Sequence, residues 1–287
     1  MTLGKTAARR QLGAEMRLLR CASGKQQREM AVVIECDPSQ ISKVERGERM
    51  LKTLEVQALL EFLGATPAKR DKLMSLARVA AQRRPRRSYA DKSLPGTLLR
   101  LGYMEQDSAE IFCSSGELVP ALLRTPAYER VVACHSIDPH PLNENELAVR
   151  VDFLSDRQRV LDDTTRRLRF LVGEGALLRT VGDREVLREQ LKHMVNVIDT
   201  RPWISIQVLP VRAAVHPMLD GSVTGLRFAG GVPDEVFQST VIGGGIRTND
   251  TAETRKFLDA FDKACGDAPG RERSRALVFE RLRRIGA

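Results

Sequence analysis

The stretch from Gln27 to Gly47, QREMAVVIECDPSQISKVERG, gathers the residue types that can meet a polyanion. Asp37 is placed to cap a short helix, with Pro38 at its first position. At about 100° per residue along that helix, Ile41 and Val44 point one way, while Ser39, Ser42, Lys43 and Arg46 fall within about 50° of the opposite direction. Small hydroxyls and cations without a carboxylate can enter a DNA major groove with no repulsion from phosphate. Glu45 sits off that face. The same pattern also suits the solvated face of an ordinary helical bundle, so the elements that carry it decide between the two.

Those elements read as a succession of short helices. Leu12, Met16 and Leu19 recur at i, i+4 and i+7, Met30 and Ile34 at i, i+4, and Val56, Leu59, Leu60 and Leu63 extend the pattern until Gly64 ends it. Thr66 and Pro67 begin a fifth helix whose inner face is Leu73, Leu76, Ala77 and Ala80. Five helices in about 75 residues imply an all-α bundle over 1–80. A basic linker follows over 81–100, with four arginines around Pro85 and a second proline at Pro95. It is either a solvated spacer or an arm on the DNA backbone.

The charge follows the same division. Of the formal +9, residues 1–100 carry 21 Lys+Arg and 10 Asp+Glu, a balance of +11, and residues 101–287 carry the remaining 25 and 27, a balance of −2. A positive excess confined to one third of the chain points to a polyanion partner for that third. No stretch approaches the roughly 18 apolar residues of a membrane span, and the N-terminus lacks the apolar run of a secretory signal, so a cytoplasmic location is expected. Five scattered cysteines without a CxxC pair support neither a disulfide framework nor a zinc ribbon.

The run ISKVERG, preceded by Asp37 to Gln40 and by Gln27 at the start of the earlier helix, resembles the lambda-repressor-like, xenobiotic-response-element-type helix-turn-helix domain over about residues 11–80. The resemblance implies that the second helix of the motif lies in the major groove and that Gln27 anchors to phosphate. It implies base contacts from Pro38, Ser39 and Lys43 and backbone contacts from Gln40 and Arg46. Ser42 on the same face, and Arg49 and Lys52 just beyond it, complete the expected DNA-binding set. Two positions depart from the family pattern: Glu35 stands where the turn usually has Gly, and the first helix reads MAVVI rather than Leu-Ala-Glu-Lys-Leu.

Beyond residue 100 the periods are mixed. Helical patterns at Leu147–Leu161, Val186–Ile198 and Thr251–Ala264 alternate with strand patterns at Arg169–Val172, in WISIQVLP, in VTGLRF and in VFQSTVI. Gly and Pro punctuation predicts an α+β domain over 101–287 with a mainly antiparallel sheet and helices on one side. ELVPALLRTPAYERVV, EGALLRTVGDREVLREQLKHM and ISIQVLP resemble the C-terminal domain of a large actinobacterial regulator family called antitoxin-like. That resemblance implies a DNA-binding regulator encoded beside a small partner protein. Ala121 and Arg124 stand where Gly and Gln are more usual.

Other chemistry finds little support. GxSxG and HExxH are absent, four histidines leave few acid–base candidates, and Gly243–Gly245 is not followed by the Lys-Ser/Thr of a phosphate loop. Cys134, His135 and His140 lack a fourth metal ligand at standard spacing. Neither enzymatic activity nor a metal or cofactor is expected. Trp203 and His216 are the two candidate ligand contacts in the C-terminal domain. The sequence therefore predicts a transcriptional regulator binding double-stranded operator DNA as a homodimer, its C-terminal domain serving dimerisation and a partner-protein or small-molecule input. The alternative is an antitoxin-like protein that chiefly sequesters a small partner.

Overall fold

The computed structural model describes residues 5–81, 94–135, 141–213, 216, 218, 221–229, 232–239, 245–248 and 250–286. The chain divides into two compact units, residues 1–86 with 228–233, and 87–227 with 234–287. Arg83–Arg87 of the expected linker lie outside the described residues, as do His140, Gly243 and Gly244.

The described residues of the first unit form five helices: α1 (Lys5–Ala22), α2 (Gln27–Val33), α3 (Pro38–Glu45), α4 (Thr53–Phe62) and α5 (Pro67–Ala81). The apolar positions predicted from periodicity converge. Leu12, Met16, Met30, Ile41, Val44, Val56, Leu59, Leu60 and Leu73 form one buried cluster, with Leu19, Ile34 and Leu76 packed against it. Burying an aliphatic side chain of this size contributes about 1.5–3 kcal/mol, which holds together helices too short to persist alone. Helix starts are satisfied locally. The Asp37 carboxylate accepts the Ser39 N–H at 2.7 Å, and Glu29 and Glu55 accept the backbone N–H of Gln26 and Lys52, each at 2.7 Å.

The second unit begins inside the segment read as linker. Pro95, expected to interrupt structure, instead occupies the N-cap position of α6 (Gly96–Asp107), because a proline at a helix start gives up no intrahelical hydrogen bond. There follow β1 (Glu110–Ser115), a 3₁₀ turn (Ala121–Leu123), α7 (Pro126–Cys134), α8 (Glu144–Gln158), a 3₁₀ turn (Arg159–Asp162), β2 (Arg167–Gly173), α9 (Glu174–Leu178) and α10 (Arg184–Thr200). The unit closes with β3 (Ile204–Leu209), β4 (Val223–Arg227), β5 (Glu235–Ser239), β6 (Gly245–Thr248), α11 (Thr251–Asp267) and α12 (Arg271–Gly286).

The strands form one mixed sheet in the order β3-β2-β1-β4-β5-β6. β4, β5 and β6 pair antiparallel outward from β1, while β1, β2 and β3 run parallel. The expected mainly antiparallel sheet is therefore corrected to a mixed one. The intervals from β1 to β2 and from β2 to β3 each hold long helices, which permit the crossovers a parallel pairing requires. Helices on one side is corrected as well. Phe112 and Leu171 on one sheet face pack against Phe261 and Ala264 of α11, while Ile111, Leu168, Phe170 and Ile206 on the other face are equally buried. α12 covers the β3 edge: Ser274 Oγ accepts the Val208 N–H at 3.0 Å, and Arg271 donates to the Ile204 carbonyl at 2.8 Å.

α6 and α8 are locked by an ion pair. Arg157 donates to both Glu105 oxygens at 2.8 and 2.9 Å, with side-chain exposures of 6% and 1%. Arg166 then caps the end of α6, donating to the carbonyls of Glu105, Gln106 and Ser108 at 2.7, 2.6 and 2.8 Å.

Candidate nucleic-acid interface

α2 and α3 are joined by a tight turn in which Cys36 N–H donates to the Ala31 carbonyl at 2.9 Å. Glu35 occupies the left-handed region at φ 50°, the single non-glycine residue with positive φ among those described. This is the position where the resemblance places glycine. A side chain there costs about 1–2 kcal/mol of backbone strain.

α3 is seated closely against α1. A Cβ at Gly13 would lie 2.3 Å from the Val44 carbonyl oxygen, so glycine is what lets the α1 backbone reach α3. Gly47, at φ 68°, turns the chain out of α3 with Arg10 Cα only 2.7 Å from where its Cβ would be. Ile41 and Val44 are buried, and Glu45 beside them is buried too. The Glu45 carboxylate accepts from Arg20 Nε at 2.5 Å, Arg20 Nη2 at 3.2 Å and Gln27 Nε2 at 2.7 Å. This acid is thus turned inward and neutralised, and the contact with Glu45 raises the Arg20 guanidinium pKa further.

The outer side of α3 carries Pro38, Ser39 and Lys43, all exposed, with Gln40 and Ser42 half-buried at its flanks and Arg46 exposed at its C-terminal end. Lys43 makes no hydrogen bond or ion pair among the described residues, whereas Arg46 donates to Ser42 Oγ at 2.5 Å and to Glu48 at 3.1 Å. Arg49 lies 3.8 Å from Glu55, and Lys52 is exposed immediately before α4. The Asp37 carboxyl is held below its usual range by its hydrogen bonds to Ser39 and by the nearby Lys43 charge. Of the expected residues, Pro38, Ser39, Lys43, Arg46 and Lys52 are exposed and Gln27, Gln40, Ser42 and Arg49 half-buried. Gln27 is already engaged, since its side-chain amide donates to Glu45.

Sequence reasoning missed the two residues that position this surface. Arg20 was not singled out, and Glu45 was noted only as lying off the outer face. The available signal was its adjacency to Val44 and its i, i+4 relation to Ile41, which puts an acid on the buried flank of a short helix. Such an acid requires a cationic partner from a neighbouring element.

Neither candidate ligand contact of the second unit joins a larger site. Trp203 is half-buried and its indole donates to the Leu161 carbonyl at 3.0 Å. His216 Nδ1 accepts the Met218 N–H at 3.2 Å. The first ties the start of β3 to the 3₁₀ turn after α8, 42 positions earlier, and the second lies within its own segment. Among the described residues no group of three His, Cys, Asp or Glu could hold a metal ion, and no helix is long and apolar enough to cross a membrane.

A short helix, a tight turn and a second helix with a cationic outer face define the first unit as a helix-turn-helix DNA-binding domain, and residues 11–73 match the helix-turn-helix domain family. Residues 98–280, more than half of the chain, match the family described as Domain of unknown function (DUF5753), and the chain belongs to that family. No curated protein and no solved structure matches the chain.

Proposed function

We propose that this chain is a sequence-specific transcriptional regulator of the xenobiotic-response-element type that binds double-stranded operator DNA as a homodimer. The observation that carries the reading is the outer side of α3, where Ser39 and Lys43 are exposed while the neighbouring acid, Glu45, is buried against Arg20 and Gln27. A helix of eight residues reaches only a few base pairs, so useful specificity calls for two copies with half-sites one turn, about 34 Å, apart. The second unit supplies dimerisation and an input from a partner or ligand. The protein acts in the cytoplasm, without catalysis or a cofactor.

In this reading Lys43 reads a base edge and Arg46 holds phosphate. The test is affinity for a selected operator and for random DNA over a range of salt concentrations. Lys43→Ala lowers discrimination between the two by about 1–3 kcal/mol. Arg46→Ala weakens both alike and reduces the salt slope by about one. Equal effects of the two substitutions on operator and random DNA would refute these roles.

A further inference from the structure

The second unit holds a cavity of about 740 Å³, open to solvent on one side and within the range of roughly 300–1,000 Å³ found for small-molecule sites. Its floor is the sheet face opposite α11. Phe112 of β1 packs against Phe261 of α11, so the alternate residues Cys113 and Ser115 point the other way, and they line the cavity beside Ser222 and Thr224. The walls are apolar where Leu98 and Leu101 of α6 meet Val131 and Val132 of α7. The exposed His135, Thr180 and Gly182 mark the mouth.

The charged side chains of the lining are already engaged within the fold. Arg124 donates to the Val119 carbonyl at 2.7 Å and to Glu129 at 2.8 Å, Arg157 holds both oxygens of Glu105 at 2.8 and 2.9 Å, and Arg150 is partnered as well. The sheet floor carries no charge, because burial pushes the Cys113 thiol up to about 11. Thr224 directs its hydroxyl hydrogen to Cys113 Sγ at 3.6 Å. The serines differ. Ser115 Oγ and Ser222 Oγ lie 2.8 Å apart and share one hydrogen bond. Two hydroxyls bring two hydrogens, so whichever of them donates to the other, one O–H is left without an acceptor among the described residues. Ser115 is only 3% exposed, a setting in which an unmet donor is costly. Ser239 continues the row: its N–H donates to the Ser222 carbonyl at 3.0 Å, and its side chain also lines the cavity.

We propose that this cavity binds a neutral, mainly apolar molecule bearing a carbonyl oxygen, its apolar body against Leu98, Leu101, Val131 and Val132 and its oxygen accepting from the Ser115–Ser222 pair. The carbonyl supplies the acceptor that the pair lacks, and burial of hydrocarbon against the walls supplies affinity. A carboxylate or an ammonium of the same length gives up part of its hydration here. It gains an opposite charge only by disturbing a pair such as Arg124 with Glu129. As the input of the regulator proposed above, such a ligand rests on that reading; its binding does not.

The test uses the full chain and the neutral, carbonyl-bearing fluorophore Nile red, displaced in turn by 2-decanone, decanoate and decyltrimethylammonium. Saturable binding of the dye is expected, with the ketone displacing it at a concentration about tenfold lower than either ion does. Val132→Trp places an indole in the cavity and, where its circular dichroism spectrum is native, weakens dye binding about tenfold. Replacing both serines, Ser115→Ala with Ser222→Ala, removes the unmet donor. It is expected to raise the inhibition constant of 2-decanone about fivefold and to leave that of 1-chlorodecane, a far weaker acceptor, unchanged. No saturable dye binding, displacement by either ion as effective as by the ketone, undiminished dye binding in a folded Val132→Trp chain, or an equal response of ketone and chloride to loss of the serines would each overturn the proposal. Should the variants fail to fold, the comparison of ketone with the two ions on the unmodified chain decides it. None of these readouts involves DNA, so their failure and a failure of operator binding are separate results.

Discussion

Each unit is organised around a glutamate held by an arginine from a different helix, and the two pairs do different work. In the first unit Glu45 of α3 is drawn to Arg20 and Gln27, which turns an acid away from the surface and leaves Ser39 and Lys43 facing out. In the second, Glu105 and Arg157 bind α6 to α8 beside a cavity. The first pair lies near the margin of a small bundle, with the arginine 16% exposed, and the second is nearly sealed, with exposures of 6% and 1%. The same kind of ion pair therefore turns an acid inward beneath a cationic helix face in one place and joins two helices beside a cavity in the other. Burial depth sets how much each pair contributes, because an orphaned charge costs more where water cannot reach it.

That contrast can be broken most forcefully at Arg157. Arg157→Met leaves Glu105 buried without its cation and is expected to destabilise the second unit by about 3–5 kcal/mol, read from urea unfolding followed separately for the two units. The first unit's transition should not move. Glu45→Ala is expected to destabilise the first unit by about 1–3 kcal/mol and to lower affinity for operator and random DNA alike, since it releases the seat of α3 rather than a base contact. A loss as large as that at Arg157 would mean that burial depth does not separate the two pairs.

A smaller effect of opposite sign is expected at the turn. Glu35→Gly relieves the residue at φ 50° and should stabilise the first unit by about 0.5–1 kcal/mol, the relief of strain being partly offset by glycine's greater freedom in the unfolded chain. A drop in stability would show that the Glu35 side chain contributes more than its strain costs.

The smallest effect concerns pH. All four histidines lie in the second part of the chain. Burial, aided by the charge of Arg201, holds the His193 imidazole below its ordinary value of 6.5. The unfolded chain then binds a proton more readily than the folded one, so stability is full above that ordinary value and falls as pH drops through it toward the lowered one. His193→Gln should flatten this slope between about pH 5 and 7 in the second unit alone. A matching slope in the first unit would indicate that the two unfold as one.

The first unit was largely legible because its helices are amphipathic at regular spacing and each start carries its own chemistry, as Asp37 and Pro38 do for α3. In the second unit the same reading identified α8, α10, α11 and parts of β2 to β5. It missed β1, whose EIFCSS shows no alternation because the strand is central and buried on both faces, Ser114 and Ser115 included at 3% each. Without β1 the parallel pairing could not be seen, and the sheet was expected to be mainly antiparallel. Trp203 and His216 stood out in the sequence and are seen bonded to the Leu161 carbonyl and the Met218 N–H, while the cavity is lined by ordinary Leu, Val, Ser and Arg from α6, β1, α7 and α8.

Local order in this protein determined the helix-turn-helix, its capped second helix and the division of charge, because capping and amphipathic periodicity act over a few residues. Only the tertiary structure decided which acids are buried against which arginines, which strands run parallel and where a cavity stays open. Those outcomes depend on groups such as Arg157 and Glu105, 52 positions apart, being brought together by chain topology, and no local pattern encodes that meeting.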